Sequence, residues 1–159
     1  MYDFVVLQMN SSMNKETVKK KLAIGKQTLE EYGFEVDVTP EDLILYFQAT
    51  TFYDTSPLEE VLKNPFLVIH ELVELHELKK RGLKITKDII VNNIDTVYED
   101  HLIAAEVELY IAYKLGALSH IRNRIRDIEN WLEDPLLPKK LYDRCYELLK
   151  KAKNWVESN

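Results

Sequence analysis

Apolar residues recur in several stretches of this chain at spacings of three and four, the period of a helix face rather than of a strand. Leu118, Ile121, Ile125, Ile128 and Leu132 follow one another at 3, 4, 3 and 4, which makes a seam of the coiled-coil kind. Near the end, Leu141, Cys145, Leu148, Leu149, Ala152 and Trp155 share one helix face. The pattern predicts helices over 14–32, 40–50, 57–63, 65–81, 87–115, 117–133 and 138–157. The run Phe4-Val5-Val6-Leu7 is ambiguous and suits a short strand over Asp3–Met9, with Phe34–Val38 as its pairing partner. The expected fold is all-α, a single-domain bundle of six or seven helices over residues 1–159, with room for a short N-terminal β pair.

The few chain breakers sharpen these boundaries. There are only four glycines and five prolines, about half the average usage, too few for the closely spaced turns of a β sandwich or barrel. Thr39-Pro40, Ser56-Pro57, Asn64-Pro65 and Asp134-Pro135 each set a capping side chain before a proline. Such a pair reads as N-cap followed by N1, where proline's missing N–H costs nothing. Gly33, Gly82 and Gly116 follow apolar periodic segments and suit the left-handed position just past a helix end.

Composition narrows the function classes. The net charge is −6. Residues 1–113 hold 11 basic and 20 acidic groups, whereas residues 114–159 hold 10 and 7. An acidic majority argues against general nucleic-acid binding and leaves a divalent cation site open. Cys145 is the only cysteine, which excludes an internal disulfide and a cysteine-based zinc cluster. No apolar run reaches the ~18 residues that a membrane span needs, and no basic region precedes the N-terminal apolar run as in a signal peptide. A cytoplasmic protein without membrane contact is expected.

The most informative segment is His70-Glu71-Leu72-Val73-Glu74-Leu75-His76-Glu77. On a helix, His70, Glu74 and Glu77 fall within about 60° of one another, with Glu71 at the margin. His70 and Glu74 are i and i+4, a spacing at which two side chains can share one metal ion. His76 lies six residues from His70, so these two histidines do not form the i, i+4 pair of a zincin. In the helix at 87–115, His101 and Glu108 interrupt an apolar stripe, with Ala104 and Ala105 between them leaving room. Glu108 is expected to lean over Ala104 toward His101, as a catalytic or metal-linked pair. The opposite row, Asp88, Asp95, Glu99 and Glu106, is expected to face solvent.

Glu71-Leu72-Val73-Glu74 resembles the first E-x-x-E motif of the all-α nucleotide pyrophosphohydrolases of the MazG type. The nearest match to that family's second motif, E-x-x-D, is Asn92-Asn93-Ile94-Asp95, with asparagine in the place of glutamate. The resemblance implies Mg²⁺ or another divalent cation held among Glu71, Glu74 and Asp95, to which the spacing adds His70, a phosphorylated small molecule as partner, and phosphate contacts from Arg122, Arg124 and Arg126 or from Lys79, Lys80 and Arg81. Val68-Ile69-His70-Glu71 also resembles the His-Asp core of the HD phosphohydrolases, with Glu for Asp, although none of the four histidines precedes His70. The expected function is a divalent-metal-dependent phosphohydrolase acting on a nucleotide-like substrate. The alternative is a non-enzymatic helical interaction protein whose Leu118–Leu132 seam packs against a second copy, as a homodimer.

Overall fold

The computed structural model describes residues 4–52 and 56–158, with side chains from residue 15 onward. Among the described residues eight helices follow one another: α1 (Phe4–Glu31), α2 (Pro40–Phe47), α3 (Leu58–Leu62), α4 (Pro65–Lys80), α5 (Ile89–Asn92), α6 (Ile94–Lys114), α7 (Leu118–Leu132) and α8 (Tyr142–Glu157). A 3-10 turn, Lys139–Leu141, leads into α8. The all-α expectation is met, and the described residues contain no strand. Asp3 lies outside them, but Phe4–Met9 form the first turns of α1. The expected partner segment, Phe34–Val38, is committed elsewhere. The Asp37 N–H donates to His76 Nδ1 at 3.0 Å, and Lys79 Nζ donates to the Asp37 carbonyl at 2.9 Å. Backbone groups that a strand would have paired are therefore spent on α4.

Helix boundaries follow the punctuation in most places. Thr39 closes a capping box with Asp42, and Asn64 accepts from the N–H groups of Phe66 and Leu67. Gly33, Gly82 and Gly116 take φ of +86°, +86° and +73°, the left-handed region open to glycine at no steric cost. Two expected caps do not form. Ser56 does not cap α3, which begins one residue later with Pro57 at the N-cap and no side-chain bond. Asp134 instead accepts from Leu136 N–H at 2.9 Å in a turn, and α8 starts beyond Pro138. The long helix expected over 87–115 breaks at Asn93, whose φ is −137°. Its side-chain amide donates to the Ile89 carbonyl at 2.9 Å, the local competition with helix bonds that asparagine offers.

Two apolar cores share α6. One gathers α1, α2, α3, α4 and one side of α6, with Leu29, Leu72, Leu75, Leu78, Ala104 and Ile111 fully enclosed. The other packs the opposite side of α6 against α7 and α8 through Leu102, Ala105, Leu109, Ile121, Ile128 and Cys145. The Leu118–Leu132 seam thus meets α8 and α6 of its own chain. Helix α4 is buried on nearly all sides, as its all-round apolar sequence requires. Among the described residues, no helix is long and apolar enough to cross a membrane.

Candidate metal centre

Polar side chains are let into the contact between α4 and α6. Asn64 and Pro65 start α4, and two turns later His70, Glu71 and Glu74 point toward α6 and the cavity beside it. Helix α6 brings His101 and Glu108, with the fully buried Ala104 and Ala105 between them. His70 is 2% exposed, Glu74 5% and Glu108 0%. Charged groups at such depth must be paired, and each of them is.

Three atoms converge. His70 Nε2 lies 3.0 Å from His101 Nδ1 and 3.4 Å from Glu74 Oε1. His101 Nδ1 lies 3.0 Å from the same Glu74 oxygen. Two ring nitrogens carry at most two hydrogens toward this triangle of three edges. If both hydrogens point at Glu74, the two N–H groups oppose each other. If His70 donates to His101, the unprotonated His101 nitrogen faces a carboxylate lone pair. One edge is unfavourable in either case, whereas a cation at the centre makes all three attractive. The spacing also suits one ion. Donors about 2.1 Å from a metal stand about 3.0 Å apart at right angles and about 3.4 Å apart at the tetrahedral angle.

The groups behind the triangle orient it. His70 Nδ1 is 2.8 Å from Glu108 Oε1, the carboxylate contact that commonly fixes the ring of a metal-binding histidine. Glu108 is itself held by Arg124, through Nε at 2.8 Å and Nη2 at 3.0 Å, and by His120 Nε2 at 2.6 Å. Tyr46 OH donates to the outer oxygen of Glu74 at 2.6 Å. Trp131 packs against the His101 ring at 4.4 Å between centroids, and the Arg124 guanidinium covers Trp131 at 5.1 Å.

Burial opposes charge on both Glu74 and Glu108. On Glu74 it is outweighed by His101 and His70, and on Glu108 by Arg124, His120 and His70, so both carboxyls lie well below the usual range. Burial likewise opposes a charged His70, but Glu108 and Glu74 raise the ring to about 9. Burial lowers His101. Glu71, pushed up first by burial and then by the Glu74 charge, reaches about 8.

A cavity of about 340 Å³ opens beside the triangle, lined by Glu71, Glu74 and His101 together with Tyr46, Tyr98 and Trp131. Its size is at the small end for ligand sites. Of the residues expected from sequence, His70, Glu74, His101 and Glu108 come together, and Glu71 lies on the cavity wall. Asp95 does not join them: it is exposed in the first turn of α6 and lies outside the cavity lining. The expected direct His101–Glu108 pair is replaced by a relay, because the His70 ring lies between, one nitrogen toward each. The expected phosphate-binding cations are placed elsewhere. Arg124 is engaged by Glu108, Lys79 pairs with Asp42 at 2.8 Å, Arg81 forks onto Asp100, and Arg122 and Arg126 are exposed.

Sequence reasoning passed over His120 and Tyr46 and read Arg124 as a phosphate contact. His120, Arg124 and Asp127 form an i, i+4, i+7 polar stripe beside the Ile121–Ile128 seam, which was a usable signal. No protein family matches the chain, and neither the characterised proteins nor the solved structures searched contain a match.

Proposed function

We propose that this chain is a divalent-metal-dependent hydrolase, with His70 Nε2, His101 Nδ1 and Glu74 Oε1 as the metal ligands and Glu71 as the general base. The observation that carries the reading is the triangle of 3.0, 3.0 and 3.4 Å edges, a donor set that His70, Glu74 and His101 complete within the described residues. Two imidazoles and one carboxylate with open positions are a catalytic rather than a structural arrangement. Imidazole nitrogens favour Zn²⁺ or Fe²⁺ over Mg²⁺, which prefers oxygen. The local order His-Glu-x-x-Glu sets a ligand at i, a carboxyl at i+1 and a second ligand at i+4. That is the H-E-x-x-H layout of metalloproteases with glutamate as the second ligand, and α6 contributes the other histidine.

A bound ion would acidify water and polarise the substrate. Glu71 would take the water proton as the water oxygen bonds to an acyl or phosphoryl centre, and would return that proton to the leaving group as its bond breaks. A phosphorylated, nucleotide-like substrate is one form of this chemistry, though among the described residues no lysine or arginine lines the cavity to share the phosphate charge. The homodimer alternative loses its motivating face, since the Leu118–Leu132 seam packs within the chain.

Calorimetric titration with Zn²⁺, Fe²⁺, Mn²⁺ and Mg²⁺ tests the site. One transition ion per chain is expected to bind more tightly than Mg²⁺, and binding should be lost in Glu74→Ala and in His101→Ala. No binding, or equal binding by these variants, overturns the metal site. On a panel of esters, amides and phosphoesters, Glu71→Gln should keep the ion and lose at least about 100-fold in turnover. Unchanged turnover removes Glu71 as the base.

A further inference from the structure

The cavity beside the triangle has a lopsided wall. Among the described residues it carries three carboxyl groups, Glu71, Glu74 and Asp134, and no lysine or arginine. Its tyrosine hydroxyls offer acceptors rather than donors. Tyr46 gives its proton to Glu74 at 2.6 Å, and Tyr98 gives its proton to Asp134 Oδ2 at 2.7 Å. The rest of the wall mixes the rings of Phe47, Phe52 and Trp131 with aliphatic side chains such as Ile90 and Val97. A wall that combines acceptor oxygens, carboxyl groups and several aromatic rings suits an organic cation. An anion would face these carboxyl groups, and no described residue of the wall is a lysine or arginine.

We infer that the ligand of this cavity is a small organic cation, a protonated or quaternary amine, held by Asp134 and the aromatic wall next to the metal triangle. For catalysis the inference rests on the hydrolase reading: the amine would be the handle that seats the substrate, and the ion would act on a neighbouring bond. As a statement about binding it rests on the wall alone, so the two can fail separately.

The test uses three probes of similar shape, benzyltrimethylammonium, benzyl alcohol and benzoate, titrated calorimetrically into the metal-free chain. The quaternary cation cannot ligate a metal, so its binding reports the wall. It is expected to bind at least about tenfold more tightly than the alcohol, a gain typical of one ion contact away from bulk water, with benzoate weakest. Asp134→Asn preserves the shape and the acceptor oxygen, and should remove most of that preference while leaving the alcohol unchanged. Phe47→Ala should weaken the cation as well. Benzoate binding as tightly as the cation, no binding of any probe, or a preference unmoved by Asp134→Asn overturns the inference. Cation preference without metal binding would leave this inference standing and sink the hydrolase; metal binding without cation preference would do the reverse.

Discussion

His70 uses both ring nitrogens, one toward Glu108 and one into the triangle, and so ties a fully buried carboxylate to the proposed metal position. Glu108 touches no cavity wall, yet it sets the tautomer and tilt of the ring. Glu108→Gln is expected to leave three ligands in place and weaken metal affinity by about 10–100-fold, the usual effect of losing an outer carboxylate. A circular dichroism melt run beside the titration checks that the fold survives. An affinity equal to the wild type would show that the His70–Glu108 contact is structural only. At this scale the sequence was informative about the residues that break an apolar pattern. His70, Glu74, His101 and Glu108 interrupt otherwise apolar faces and were legible for that reason. Tyr46 was not, because a tyrosine among Leu43, Ile44 and Phe47 reads as more core. Asp95 was misplaced because a two-residue motif says nothing of which way its helix is turned, and the break at Asn93 resets that direction.

Helix α4 occupies the centre because it is apolar almost all round, and α1 approaches it closely at one point. A Cβ built on Gly25 would stand 2.8 Å from Leu72 Cδ1 and 3.1 Å from Val68 Cγ1. Both neighbours are buried and Val68 is β-branched, so neither yields easily. In an exposed helix, alanine would gain about 1 kcal/mol over glycine. Here the overpacking should cost about 1–3 kcal/mol and reverse the sign. Gly25→Ala is therefore expected to lower the melting temperature, with a larger drop for Gly25→Leu. A stabilised Gly25→Ala protein would mean that α1 moves away freely. Helix identity and most ends were readable from period and capping. The segment 34–38 was not, because its apolar alternation mimics a strand, while its real partners, His76 and Lys79, are about forty residues away in sequence.

Across the whole molecule, the two cores meet along α6, and the seam expected to face a second copy is closed by α8. Ile128 is fully enclosed there. Ile128→Ala should cost about 2–5 kcal/mol. Its loss should appear as a lower unfolding midpoint that does not change with protein concentration, measured by denaturation at several concentrations. A midpoint that rises with concentration in the wild type but not in the variant would return the seam to an intermolecular role. A heptad pattern states that a face must be covered but not by what, and here a neighbouring helix of the same chain covers it. The turn at Gly116 has a consequence at this scale. All three proposed ligand atoms come from residues before it, whereas Arg124 and His120, which hold Glu108 in place, come after it. The chain thus separates the donors that would choose an ion from half of the frame that sets how firmly it is gripped. Substitutions in the C-terminal hairpin can retune that grip while leaving the choice of ion untouched.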